Sequence, residues 1–242
     1  MKNYFSFLLL AIFFTSCQVT ETIHLNEDGS GTIETIQFRD EHSYMLLMGE
    51  KYSKEEKFQD TTYVFRDFIT KYNETFLKYT RPEQQLFQKY ANAKVNARMS
   101  SFDKEFKTII TFSFTKIDAV PNLYNTEDYA NDLENNYALT AESHFFDIKY
   151  SFDGAIFKRA VKVINEAEIE KNKRQMDHFK SKFNILNFTQ TYTLKYNFPR
   201  KIKLVSNSAA ILSSDKKSVT LTFLLSDCLM NPESTNLEVV LE

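Results

Sequence analysis

The chain has 242 residues, with 30 Lys and Arg against 32 Asp and Glu, for a formal net charge of −2. That balance leaves no cationic excess to neutralise a phosphate backbone, so nucleic acid is excluded as an expected partner. The four glycines stand at no phosphate-loop or dinucleotide-fingerprint spacing, and two cysteines are too few for a disulfide framework.

In chain order, Lys2 precedes an apolar run from Tyr4 to Phe14 that ends in Thr15-Ser16-Cys17. A helix rises about 1.5 Å per residue, so this run falls well short of the roughly 30 Å hydrocarbon core and reads as an export signal rather than a membrane span. Its end resembles the bacterial lipobox, with Phe14 where Leu is usual and Thr15 where Ala or Ser is preferred. The resemblance implies removal of residues 1–16 and attachment of diacylglycerol to the thiol of Cys17. The mature body would then be residues 17–242, tethered to a membrane of the bacterial cell envelope, with the outer membrane the expected one. An ordinary secretory signal, with Cys17 incidental, is the alternative. Glu21, the acidic residue nearest the cysteine, gives no argument for surface export.

Alternating apolar residues at Val19, Ile23 and Leu25, and again at Ile36 and Phe38, predict a hairpin around the turn Asn26 to Gly31. A calcium loop would need further oxygen ligands downstream, so the glycines there read as turn residues. A short helix is predicted around Tyr44 to Leu47. Phe68, Tyr72, Phe76 and Tyr79 recur at helical spacing, and Thr80-Arg81-Pro82-Glu83 opens a second helix. Strands follow at Val95 to Phe102 and Phe106 to Ile117. Asp118 to Glu142 is the longest loop candidate, with a short helix within it; its tyrosines Tyr124, Tyr129 and Tyr137 are expected to be exposed.

Phe146, Ile148, Tyr150 and Phe152 alternate up to Asp153-Gly154, a two-residue hairpin turn that would set Phe152 opposite Ala155 and Tyr150 opposite Phe157. The longest helix is predicted over Asn165 to Phe183, with Ile169, Met176, Phe179 and Phe183 as its apolar stripe and a charged outer coat. Strands return at Tyr192 to Phe198, Lys201 to Ser206, Val219 to Leu225 and Leu237 to Leu241. The pattern predicts a single α+β domain, a mostly antiparallel sheet of hairpins with inserted helices. The 23 Phe and 13 Tyr suit pleated faces, although a compositional bias of the genome accounts for them equally well.

No catalytic motif occurs. His24, His42, His144 and His178 stand at no metal-ligand spacing, and no HExxH or GxSxG is present. Cys228, within Leu225 to Met230, reads as an inert buried thiol rather than a nucleophile. No catalytic, cofactor or metal residue is therefore expected; Cys17 is the one candidate modification site.

Two stretches resemble uncharacterised bacterial envelope lipoproteins, loosely those with an LppM-like domain. They are Ile23 to Gly31, with its Asp-Gly-x-Gly turn, and Phe198-Pro199-Arg200-Lys201-Ile202 with the later Asn231-Pro232. The resemblance implies a β-rich body and a role in holding hydrophobic ligands. The leading expectation is a non-enzymatic, membrane-anchored protein that binds or scaffolds another envelope component. A carrier of a lipid or other apolar ligand is the second, and an envelope hydrolase with a motif-free site the third. A carrier predicts an apolar pocket of several hundred Å³.

Overall fold

The computed structural model describes residues 18–40, 58–100, 102–103, 105–135, 144–182 and 190–242. Its first strand, β1 (Gln18–Leu25), buries Val19, Glu21, Ile23 and Leu25 on one face, as the period of two requires. It pairs antiparallel with β2 (Gly31–Asp40) through the expected turn, in which the Asp28 carboxylate accepts hydrogen bonds from the Ser30 N–H and hydroxyl and Gly29 takes a φ of +81°. Gly31 is needed for close approach: a Cβ there would lie 2.0 Å from the carbonyl oxygen of His24.

The chain then contributes β3 (Phe58–Val64), α1 (Phe65–Lys71), α2 (Asn73–Phe76) and α3 (Arg81–Lys89). β3 is not among the predicted strands; its residues are mostly exposed and carry no apolar alternation. The aromatic stripe is broken: Phe68 lies in α1 and Phe76 in α2, with Tyr72 and Tyr79 outside both, because the backbone leaves helical geometry at Tyr72 (φ −106°, ψ 37°). At α3 the Glu83 carboxylate accepts from the Thr80 N–H at 2.7 Å, fixing the start of the helix. Strands β4 (Lys94–Ser100) and β5 (Glu105–Phe114) follow, then α4 (Thr126–Asn135) inside the predicted loop. The helix expected near Tyr44 lies outside the described residues.

The second half supplies β6 (Phe146–Phe152), β7 (Ile156–Val163), α5 (Glu166–Lys182), β8 (Thr191–Asn197), β9 (Ile202–Val205), β10 (Ile211–Leu212), β11 (Ser218–Leu224), α6 (Leu225–Met230) and β12 (Leu237–Leu241). Ile169 of α5 is buried as expected; the side chains of Met176 and Phe179, and all of Phe183, lie outside the described residues.

Two sheets result. One has eight strands in the order β10-β11-β8-β1-β2-β5-β4-β3; the other has four, β6-β7-β12-β9. All pairings are antiparallel except β1 with β8. The α+β, mostly antiparallel expectation therefore holds. The four-stranded sheet packs on the β1–β8 region of the large sheet, where the Phe157 ring meets Tyr196 edge-on at 5.3 Å and Phe198 at 5.4 Å. Near β4 and β5 the cover is helical: Phe65, Phe87, Tyr90 and Tyr129 stack in one aromatic ladder, continuous in one core with Val95 and Ile110.

Candidate functional site

Between the two sheets, at the middle of β1 and β8, lies a carboxylate removed from water. Glu21 is 0 % exposed. It occupies an inward position of β1 between Val19 and Ile23, and its register partner on β8 is Leu194. The same face of β8 therefore presents Tyr192 and Tyr196 on either side of it. Tyr196 donates to Oε1 at 2.5 Å and Tyr192 to Oε2 at 2.9 Å. From the facing sheet, Tyr150 donates to Oε1 at 2.8 Å and Arg159 Nε to the same oxygen at 3.2 Å. Tyr124, from the short helical turn Leu123–Asn125, reaches Oε2 at 3.2 Å.

Arg159 is buried as fully. Its Nη1 donates to the carbonyl and hydroxyl oxygens of Thr235, at 3.1 and 2.8 Å, and its Nη2 to the Tyr192 hydroxyl at 2.6 Å and to Glu21 Oε2 at 3.5 Å. With Nε on Glu21, all five N–H groups of the guanidinium have partners. Burial acts to raise the carboxyl pKa of Glu21, but the Arg159 charge and the hydrogen bonds from Tyr196, Arg159 and Tyr150 outweigh it and hold the group below its ordinary value. Arg159 is held above its own against the same burial by Glu21. The pair is ionised and mutually neutralised. Burial is also the main cause that raises the surrounding tyrosines, which stay protonated donors.

Directly against this network is a cavity of about 320 Å³. Arg159, Tyr192, Tyr124 and Thr235 form its floor; Val19, Phe146, Ile148, Val161, Leu225 and Leu229 form apolar walls; Gln37 and the exposed Arg39 stand at its rim. Cys228 also lines it, and burial pushes that thiol up to about 11, so it is protonated at neutral pH. A second cleft, about 480 Å³, lies at the opposite strand ends between the Asp28-Gly29 and Asp153-Gly154 turns and is lined largely by turn tips.

The structure corrects two expectations. Tyr124 and Tyr129 are not exposed: the first reaches Glu21, and the second is 3 % exposed in the aromatic ladder. Tyr150 does not face Phe157. Asp153 accepts from the N–H groups of both Ala155 and Ile156, closing a longer loop, so that Phe152 pairs with Phe157 and Tyr150 with Arg159. The shift of two keeps every side chain on its face and brings Arg159 to Glu21. Tyr137 and Cys17 lie outside the described residues. Of the histidines, His24 and His178 are exposed and His144 sits 3.1 Å from Asp128; His42 is outside the described residues.

No protein-family model matches the chain. No curated protein matches it either. Among solved structures, the NMR structure of the folded domain of the Mycobacterium tuberculosis LppM protein is similar. It has 9% sequence identity over 93% of this chain and 89% of that one, with a TM-score of 0.37. The similarity to LppM is a loose one. No described helix is long and apolar enough to cross a membrane.

Proposed function

We propose that this chain is an envelope lipoprotein, tethered through Cys17, whose domain binds an apolar ligand between its two sheets without transforming it. One observation carries the reading: an apolar cavity of about 320 Å³ closed at its inner end by a charged network whose hydrogen bonds are internally satisfied. Such a floor neither attacks nor protonates a ligand; it excludes water and leaves the walls to supply affinity. Burying hydrocarbon there contributes roughly 0.8 kcal/mol per CH₂. The protonated thiol of Cys228 fits a wall residue better than a nucleophile.

The test is native mass spectrometry of the protein released gently from membranes. A bound apolar molecule is expected in the wild type and absent in Leu229→Trp, which fills the cavity from the half-buried face of α6. Wild-type protein free of any ligand, under conditions that preserve other lipid complexes, would remove the basis of the reading. Scaffolding of another envelope protein draws support from the exposed Ile211 and Leu212 of β10, which forms one edge of the large sheet.

A further inference from the structure

The cavity lies at one particular end of the molecule. Its wall residue Val19 is the second residue of β1, its rim residues Gln37 and Arg39 lie near the end of β2, and Phe146 is the first residue of β6. Register binds these together, since Val19 pairs with Gln37 on one side and with Tyr192 on the other. This is also the end at which the tether arrives. β1 begins at Gln18, so Cys17 is separated from the cavity wall by two residue steps, a reach of at most about 7 Å.

We infer that the cavity is filled directly from the bilayer: the Cys17 anchor holds its opening against the membrane, and a phospholipid of that leaflet inserts one acyl chain tail first. This rests on the proposal that the cavity binds an apolar ligand. Tail-first insertion follows from the floor. Both Glu21 oxygens and every Arg159 N–H are already engaged, so a polar end has nothing to bind there and stays outside, at the rim near Gln37. The volume, near the lower limit of ligand pockets, suits a single chain rather than a whole lipid. A short tether matters because carrying a chain through water costs roughly 0.8 kcal/mol per exposed CH₂.

Lipidated full-length protein in phosphatidylglycerol vesicles is tested with a phosphatidylglycerol bearing a diazirine on one acyl chain. Light-induced crosslinks are mapped by mass spectrometry. A second variant carries a flexible Gly/Ser spacer of about 20 residues between Cys17 and Gln18, with a reach of about 25 Å. A diazirine fatty acid added in solution is the common control. Crosslinks are expected in peptides containing Val19, Ile148, Val161 or Leu229 of the wild type and to fall about tenfold in the spacer variant, with equal labelling of both by the fatty acid. Vesicle labelling that is absent, or equal in the two, overturns the membrane-facing opening while leaving the cavity a ligand site. Fatty acid that labels neither protein removes the ligand site itself. Fatty acid that labels Cys17→Ser but not the lipidated wild type shows the protein's own anchor chain in the cavity and overturns the phospholipid as occupant.

Discussion

Tyr150 and Arg159 face each other across the β6–β7 ladder, and both end on the same oxygen of Glu21, at 2.8 and 3.2 Å. One strand pair thus delivers a neutral donor and a cation to a carboxylate carried by the other sheet. The two sheets are joined there by electrostatics as well as by packing.

Removing one member should therefore be worse than removing both. Glu21→Leu or Arg159→Met alone leaves an uncompensated charge at a fully buried position and is expected to cost about 3–5 kcal/mol in urea unfolding. The double variant should be more stable than either single one. Tyr196→Phe, which deletes one hydrogen bond to a charged group, should cost about 1.5–3 kcal/mol. Singles and double that are equally destabilised would show that the pair is not coupled.

Acid should weaken the fold through the same residue. The groups facing Glu21 are Arg159, Tyr124, Tyr150, Tyr192 and Tyr196; against the upward push of burial, Arg159, Tyr196 and Tyr150 hold its folded pKa below the ordinary 4.5. The unfolded chain then binds the extra proton first, so this stabilisation is complete above about pH 4.5 and is lost as pH falls through the folded value. Urea midpoints between pH 7 and pH 3 should drop more steeply in the wild type than in Glu21→Gln. Asp28, Asp153, Asp215 and Glu170 are also held low, but at fully exposed positions, so they are shared background in both proteins.

Cys228 should react slowly. With its thiol at about 11, the thiolate fraction at pH 8 is lower by about a hundredfold than that of an ordinary cysteine. Iodoacetamide labelling of the folded Cys17→Ser variant should show this lag, and urea should abolish it. Rapid labelling of the folded protein would contradict the buried placement.

Gly31→Ala should destabilise more than Gly154→Ala. At Gly31 the added carbon meets backbone of the neighbouring strand, which cannot rotate away, whereas at Gly154 it meets no atom within 4 Å and suffers only the φ of +95°, a cost of about 1–3 kcal/mol. Thermal midpoints of the two variants decide the order.

The hairpins were legible because alternation and Asp-Gly turns are local signals. Residues 146–163 show both the reach and the limit of such signals: their faces follow from period two, but their register depends on which N–H groups the Asp153 side chain caps. The network on Glu21 was not legible, since Tyr192 lies 171 residues away and Arg159 138. A weaker signal existed. Glu21 sits at an inward position between Val19 and Ile23, and Arg159 at one between Phe157 and Val161. Two opposite charges on the apolar faces of alternating strands would seek each other.

The parallel pairing of β1 with β8 also governs when the molecule can close. Its opening strand is central in the large sheet, yet one neighbour is not synthesised until residue 191 and the partner cation not until residue 159. Until then the first strand is paired on its β2 edge alone, and contacts of such long sequence separation form late and slowly. Glu21 thus gains its charge partner, and the two sheets lock together, only after most of the chain has been made.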